Sequence, residues 1–471
     1  MTNVIIMNML NKAVAKRRSC LMRLSISEVI LNKIRRSFRG KSKGVLGKIQ
    51  RGFRGKGASR SKVKRTLFLM LLLALTDIQA TEFTGRFSML GATSQATQGD
   101  IGYINKDNTL TADQQSLRLM LDNTTMLDET SDKSEWSLHA KVARQHFSDI
   151  PFNDNHSSHL FRYNTLSHNW LDENDTNNAT RIGYEIDRAV YKQRFKKITF
   201  AFGRQPIDWG SGRFWQPLNV FGAFAPTDLD TDFKPGIDAA RLDWFPSDFS
   251  SLTAVYAFSP DDNAAIEKNT NTALHYRGQV GVQSEYALLA ASVIDYQILG
   301  ASFESSWSGM GWRFEGAHYN DNKTNTDSDF WIAGVDYQLN NGTLITAEWY
   351  ENSHGAKSVA SLTNLQTDNL MTYGLQQHLS QHVLGISVTK EITPLLSGGY
   401  TLLASPLKDI DSKLTTSLLH QLNFNYSVGN ESDLLFVFQF ANGRGLNFSG
   451  IPQSEFGHTP ANMSIRLRFY F

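Results

Sequence analysis

The chain ends Ala461-Asn462-Met463-Ser464-Ile465-Arg466-Leu467-Arg468-Phe469-Tyr470-Phe471. On an extended strand, Met463, Ile465, Leu467, Phe469 and Phe471 share one face, and Ser464, Arg466, Arg468 and Tyr470 share the other. A period of two with one apolar side is a half-buried strand. Two arginines opposite so apolar a face need water beside them. A transmembrane barrel wall, with lipid outside and water within, meets both demands. An edge strand of a sandwich shows the same alternation, so the rest of the chain decides.

The pattern recurs. Leu117, Leu119 and Leu121 alternate with Arg118 and Asp122, and Trp136, Leu138, Ala140 and Val142 with His139 and Lys141. Ala240, Leu242 and Trp244 alternate with Arg241 and Asp243, Trp312 and Phe314 with Arg313 and Glu315, and Ile345, Ala347 and Trp349 with Thr346 and Glu348. About eighteen such segments, each of roughly ten residues, begin near 82, 115, 135, 181, 197, 237, 251, 275, 286, 298, 310, 329, 342, 383, 395, 414, 432 and 461. Connections after even-numbered segments are mostly tight, as at Lys196-Lys197 and Asn340-Asn341. Those after odd-numbered segments are mostly long, as at 206–236, 353–382 and 443–460. The stretch near 124–134 is long for a turn, and the one near Tyr296 is short for a loop. The predicted fold is all-β: a transmembrane antiparallel barrel of about eighteen strands, sixteen being the alternative, with short periplasmic turns and long extracellular loops. A propeller or solenoid would show a blade signature at fixed period, and none is present. Trp136, Trp244, Trp349, Tyr350 and Tyr426 near segment ends serve either as interfacial girdles or as packing. A terminal Phe such as Phe471 resembles the last-strand assembly signal of bacterial outer-membrane proteins.

Of 47 basic and 45 acidic residues, 19 Lys and Arg but only Glu28 and Asp77 fall in residues 1–80, so the remainder carries a net charge of −15. Lys62-Val63-Lys64-Arg65 precedes an apolar run from Thr66 to Leu75, and Ile78-Gln79-Ala80 follows. A basic segment, a short apolar run and a small final residue read as a secretory signal peptide. The run is too short for a spanning helix. Residues 1–62 repeat Arg-Ser-Phe-Arg-Gly-Lys (36–41) as Arg-Gly-Phe-Arg-Gly-Lys (51–56). At face value this is a tail for nucleic acid or an anionic membrane. A misassigned start explains it better, since initiation at Val63 leaves an ordinary signal peptide. The domain reading is thus a basic extension (1–62), a signal peptide (63–80) and a barrel (81–471), with no nucleic-acid role. The sole cysteine, Cys20, precedes the barrel, which excludes from it a disulfide framework, a cysteine–zinc site and C-x-x-C-H haem attachment.

The run Gly203-Arg204-Gln205-Pro206-Ile207-Asp208-Trp209-Gly210-Ser211-Gly212-Arg213-Phe214-Trp215-Gln216-Pro217 leads through Asp228, Asp230 and Asp232 to Lys234-Pro235-Gly236-Ile237-Asp238-Ala239-Ala240-Arg241. The pattern G-R-Q-x-x-x-W-G-x-G, an aromatic-Pro pair and K-x-G-x-D-x-x-R resembles outer-membrane porins of the alginate-export type and related proteobacterial barrels. It covers about 40 residues. The resemblance implies an eighteen-strand barrel passing an anionic polysaccharide through a basic pore. The lumen charges read from the strands are instead mixed: Arg118, Lys141, Arg241, Arg313, Arg466 and Arg468 against Asp122, Asp243, Glu315, Asp336 and Glu348. Barrel membership carries over and alginate does not.

Trp209, Phe214 and Trp215 can anchor this segment, Gly210 and Gly212 permit tight backbone, and Pro217 stiffens it. Folded into the mouth it would constrict a pore, with Arg204, Asp208, Arg213, Asp228, Asp230, Asp232, Lys234 and Arg241 setting the local field. The alternative is that it only braces the wall.

Asp228-x-Asp230-x-Asp232 opens like a calcium loop, but Phe233 and Ala239 stand where that pattern wants Gly and Glu. His156-x-x-His159 and His378-x-x-x-His382 have chelating spacings but no nearby cysteine. No nucleophile elbow or P-loop occurs. No metal, cofactor or enzymatic activity is assigned. The leading expectation is an outer-membrane channel for polar solutes or oligosaccharides in a Gram-negative bacterium. An export conduit for a secreted polysaccharide and a sheath around a periplasmic partner such as a cytochrome are the alternatives. Expected partners are membrane lipid and lipopolysaccharide, the barrel-assembly machinery, the solute and further copies of the chain.

Overall fold

A computed structural model describes residues 81–471, except 104–107, 127–131, 149–159, 164, 167–178, 223, 229, 260–270 and 366–367. The predicted extension, start site and signal peptide, and the pair His156/His159, lie outside the described residues.

The first strands are β1 (Thr81–Gln95), β2 (Thr109–Met126), β3 (Lys133–Phe147), β4 (Thr180–Phe195), β5 (Ile198–Gln205) and β6 (Ile237–Ser247). Next come β7 (Ser250–Ala257), β8 (Asn271–Val280), β9 (Ser284–Val293), β10 (Tyr296–Trp307), β11 (Met310–Asp321) and β12 (Asp327–Gln338). The last are β13 (Leu344–Asn352), β14 (His382–Thr393), β15 (Leu396–Lys408), β16 (Leu414–Gly429), β17 (Ser432–Asn442) and β18 (Ala461–Tyr470). Short helices α1 (Val359–Leu365) and α2 (Asn369–Thr372) sit between β13 and β14. Each strand pairs antiparallel with its neighbours in sequence, and β1 pairs with β18, so eighteen strands close into a barrel.

The alternation dictates which face is which. Leu117, Phe200, Leu242, Phe314, Trp331, Phe436 and Ile465 are exposed on the outer surface. Their neighbours Arg118, Asp243, Arg313, Glu315, Glu348 and Arg466 are buried on the inner one. An apolar belt outside a polar interior is the wall of a membrane-spanning barrel. Ala333 and Val335 pair with Trp349 and Ala347, which keeps that belt continuous across β12 and β13. Trp136, Trp244, Trp349 and Tyr426 stand on outward rows, whereas Tyr350 points inward and is buried. The connections at 294–295 and 322–326 are short for the long-loop end, because β9–β10 and β11–β12 close as hairpins.

The seam explains the terminal residue. Phe471 donates its N–H to the Gly85 carbonyl (3.0 Å) and accepts from Gly85 N–H (2.7 Å). Its ring lies across Gly85, where any side chain would collide with it, and 6.4 Å from the Phe83 ring. Deleting Phe471 therefore removes two ladder bonds and the cover over a glycine. We expect less folded barrel from the Phe471 deletion and from Gly85→Leu, with unchanged channel properties in the fraction that folds. Normal yields of heat-modifiable barrel from both variants would refute this.

Candidate functional site

The β5–β6 connection, 206–236, folds into the barrel rather than away from it. Ile207, Trp209, Phe214, Trp215, Leu218, Val220 and Phe221 are all buried. Trp209 stacks on His275 of β8 with ring centroids 4.8 Å apart, and Phe221 packs on both Trp209 (5.7 Å) and Phe161 (5.4 Å). Trp215 packs on Tyr350 of β13 at 5.3 Å. Apolar burial of this size gives the segment its own core inside a hydrated lumen.

Two wall carboxylates tie the first limb. Glu315 of β11 accepts N–H bonds from Ser211 (2.5 Å) and Leu218 (2.7 Å), together with the Ser211 hydroxyl (3.1 Å). Glu348 of β13 accepts from the amides of Arg213 (2.9 Å), Phe214 (3.1 Å) and Trp215 (2.9 Å). These side chains belong to residues only 2% and 1% exposed. Five backbone donors thus take the place of water around two buried anions. Gly212 makes the turn feasible, since a side chain there would meet the Trp215 carbonyl, and Gly210 holds a φ of +114°. The Pro217 carbonyl accepts from the Tyr319 hydroxyl at 3.3 Å.

The second limb reaches another wall. Asp230 accepts from both terminal nitrogens of Arg86 on β1 (2.7 and 2.6 Å), and Asp232 accepts from Arg86 (2.8 Å) and the Tyr470 hydroxyl (2.6 Å). Asp232 also pairs with Arg468, and Arg466 lies 3.9 Å from Asp230. The Phe233 ring receives the Arg86 and Arg118 guanidinium groups at 4.8 and 4.3 Å. Burial alone would raise both carboxyls. The Arg86 bond on Asp230, and the Tyr470 and Arg468 partners of Asp232, outweigh it and hold both below the usual carboxylate range.

The root is locked separately. Arg204 Nε and Nη2 donate to Asp238 (2.7 Å each), Nη1 donates to the Ile186 carbonyl (2.8 Å), and the group also meets the Tyr163 carbonyl. Arg241 Nε donates to Asp243 at 2.8 Å. Lys234 pairs with Asp208 and closes the two limbs on each other. Asp228 accepts from the Ala225 amide (2.8 Å). Arg213 is the outlier: its side chain is 62% exposed and only 3.9 Å from Asp336, which is bound to Arg313.

Around the ring, the root at β5–β6, the first tie at β11–β13 and the second at β18–β1 lie four to five strands apart. Ties spaced by about a third of the circumference place the connecting backbone across the lumen. Beside it, a cavity of about 610 Å³ opens between the loop, the β2–β4 wall at Arg118, Lys141, Glu185 and Asp187, and the tip at Met371–Gly374.

Two further loops lock on top. Trp215 Nε1 donates to His378 Nε2 at 2.8 Å, so that nitrogen is an acceptor. His378 Nδ1 then faces Glu455 (3.1 Å), which also accepts from the Leu379 and Ser380 amides (3.1 and 2.8 Å). The loops 353–381 and 443–460 are therefore joined to the tied segment through one imidazole. His382, on an outward row, pairs with Glu351 instead (2.5 Å), so His378 and His382 do not converge on one ion. Asp230 and Asp232 likewise face arginines rather than a cation site, and no metal-competent cluster occurs among the described residues.

The strand alternation places the charges on the inner face but does not reveal what binds them. Arg86, Arg162, Glu185, Asp187 and Glu455 escape a reading by local pattern. Partners lie far along the chain, 144 residues for Arg86 and Asp230, and no local spacing announces such a pair.

No protein-family model matches this sequence, and no curated protein matches it in a sequence search. Solved structures do match. OccAB4 of Acinetobacter baumannii aligns over 83% of this chain and 99% of its own with TM-score 0.54 and 11% identity. OccAB1 of the same organism gives 84%, 99%, 0.53 and 11%. OccK9 (OpdG) of Pseudomonas aeruginosa gives 84%, 98%, 0.54 and 10%. These neighbours are outer-membrane porins of the Occ/OprD group, and at such identities the likeness is one of fold. They support an outer-membrane porin barrel and do not show the alginate-export resemblance.

Proposed function

We propose that this chain is an outer-membrane channel for polar solutes, with the 206–236 segment as its constriction. The observation that carries the reading is the segment's three-way attachment across the lumen of a closed barrel. A wide conduit for a polymer, or a sheath around a folded protein, needs a clear bore, and a tied crossing segment narrows it. The mixed charges of the walls favour small polar solutes over a purely anionic polymer. In this reading the long loops face outward toward lipopolysaccharide, the turns face the periplasm, and the Phe471 seam is presented to the assembly machinery.

The signal peptide belongs to the same proposal. Protein recovered from the outer membrane should begin at Thr81, and N-terminal sequencing that returned residues 1–62 would refute both the cleavage and the start at Val63.

The test of the constriction is the pair Arg213→Ala/Lys234→Ala. Losing Arg213 removes an exposed cation, and losing Lys234 leaves Asp208 with the neutral Asn219 amide and no counter-charge. Both changes make the narrow region more negative, so cation preference should rise. Arg313→Ala, outside the segment, should matter less. Reversal potentials in a salt gradient read the difference. An unchanged potential for the double variant in a well-folded barrel would leave bracing as the segment's only role.

A further inference from the structure

We propose that the inner face of β14–β17 is a hydrogen-bonding track for uncharged, polyhydroxylated solutes such as linear oligosaccharides. The proposal rests on the channel reading and names a substrate class for it.

Charge is distributed unevenly around the lumen. The walls at β18–β4 and β11–β13 are dense in ions, yet those ions are spent on one another. Arg118 meets Asp187 at 2.7 Å, Arg468 meets Asp433 at 2.9 Å, and Arg313 meets Asp336. The inner face of β14–β17 differs. Above Glu391 and Asp433, near the short-turn end, its described residues carry no charge. They are carboxamides and hydroxyls interspersed with the apolar Val383, Leu403, Leu407, Leu419, Leu435 and Val437.

Register lines these groups up. Ser387 stands beside Thr401, Thr401 beside Gln421, Gln421 beside Gln439 and Gln439 beside Asn462. With neighbouring strands about 4.8 Å apart, the row offers a polar group at each step. Asn423 and Asn425 continue it along β16 toward the short-turn end. Gly399 lies opposite Asn423, where any side chain would crowd the Asn423 amide, so the glycine leaves that amide room.

Asn462 Oδ1 accepts from the Ser464 hydroxyl (2.8 Å), but two of the amide oxygens on β16 are not consumed by the fold. Gln421 is 7% exposed, and its Oε1 has no protein partner. The same holds for Asn425 Oδ1. A buried amide oxygen without a partner is costly and ordinarily satisfied. The 206–236 segment crosses elsewhere and meets this wall at Phe214, which packs over Gly385. A neutral polyol passing this wall meets the half-buried Asn423 and Gln439 amides directly and reaches the buried Gln421 and Asn425 oxygens by rotation of their side chains, and it needs no counterion. Away from Glu391 and Asp433 an ion finds no opposite charge on this wall.

The experiment is current block in planar bilayers by a neutral linear glucose oligomer and by a uronic-acid oligomer of equal length. The refolded full chain is compared with Gln421→Leu/Asn423→Leu, and with Gln439→Leu alone in case the double variant folds poorly. We expect the neutral oligomer to interrupt the current of the wild-type channel. Its half-blocking concentration should rise about tenfold in the double variant, with salt conductance unchanged. Equal block in wild type and both variants overturns the track, as does stronger block by the uronic acid than by the neutral oligomer. A wild-type barrel that conducts no ions at all would instead refute the channel reading on which the track rests.

Discussion

Replacing Glu348 with alanine should raise single-channel conductance and current noise while the barrel stays folded. Glu348 accepts from three consecutive amides, those of Arg213, Phe214 and Trp215. Bonds to an ionised acceptor contribute about 1.5–3 kcal/mol each, so its loss removes several kcal/mol of tether. The β13 ladder is backbone and does not depend on this side chain. The segment would then hang from Glu315, the Trp215–His378 bond and the Asp230/Asp232 tie. Glu315→Ala/Glu348→Ala should free it further, with the largest conductance of the series. Glu348→Gln is the informative intermediate. Its carbonyl can still accept, but its NH₂ group turns a donor toward a donor, and the effect should fall between wild type and alanine. Wild-type conductance from a heat-modifiable Glu348→Ala barrel would show that this carboxylate does not hold the constriction.

Most of the barrel could be read from period and punctuation. Every strand except β2 and β8 starts within two residues of an alternating run, because the lipid face must be apolar at every second position. The largest miss is β2, which starts at Thr109 rather than near 115. Its early outward positions, Thr111, Asp113 and Gln115, are polar and hide the alternation. The inward charges were equally legible, and Arg118, Arg313, Glu315 and Glu348 are all buried on the inner face. What the pattern withheld was their use. Glu315 and Glu348 read as lumen charges and are enclosed by loop amides. Amide donors belong to every sequence alike, so nothing in Ser211-Gly212-Arg213-Phe214-Trp215 distinguishes a segment that will bind a carboxylate. The aromatic content announced burial, and only the fold says against which wall. Arg204 and Lys234 show the same gap, since each read as a candidate pore charge and each closes an ion pair at the root.

The second large effect is expected from Asp230→Asn/Asp232→Asn, which should turn the channel toward anions. The change is nearly isosteric and removes two negative charges from the group holding Arg86, Arg466 and Arg468. Those guanidinium groups stay charged at all accessible pH. Without their carboxylates they present a net positive field in a confined, weakly screened space, where a charge acts more strongly than on an open surface. Acid should imitate the substitution, with a defined sign. Both carboxyls are held below their ordinary value, so the tie is fully present above the usual aspartate pKa near 4 and is lost only as pH falls through the lower folded value. The wild-type selectivity should therefore persist to about pH 4 and shift toward anions in stronger acid, while the Asn variant, already shifted, should show no further step from these groups. Reversal potentials across a salt gradient, taken on both proteins from pH 7 downward, give the comparison. A double variant with wild-type reversal potential at pH 7 would mean that the arginines do not reach the ion path, and the β18–β1 tie would then be a mechanical anchor without electrostatic consequence.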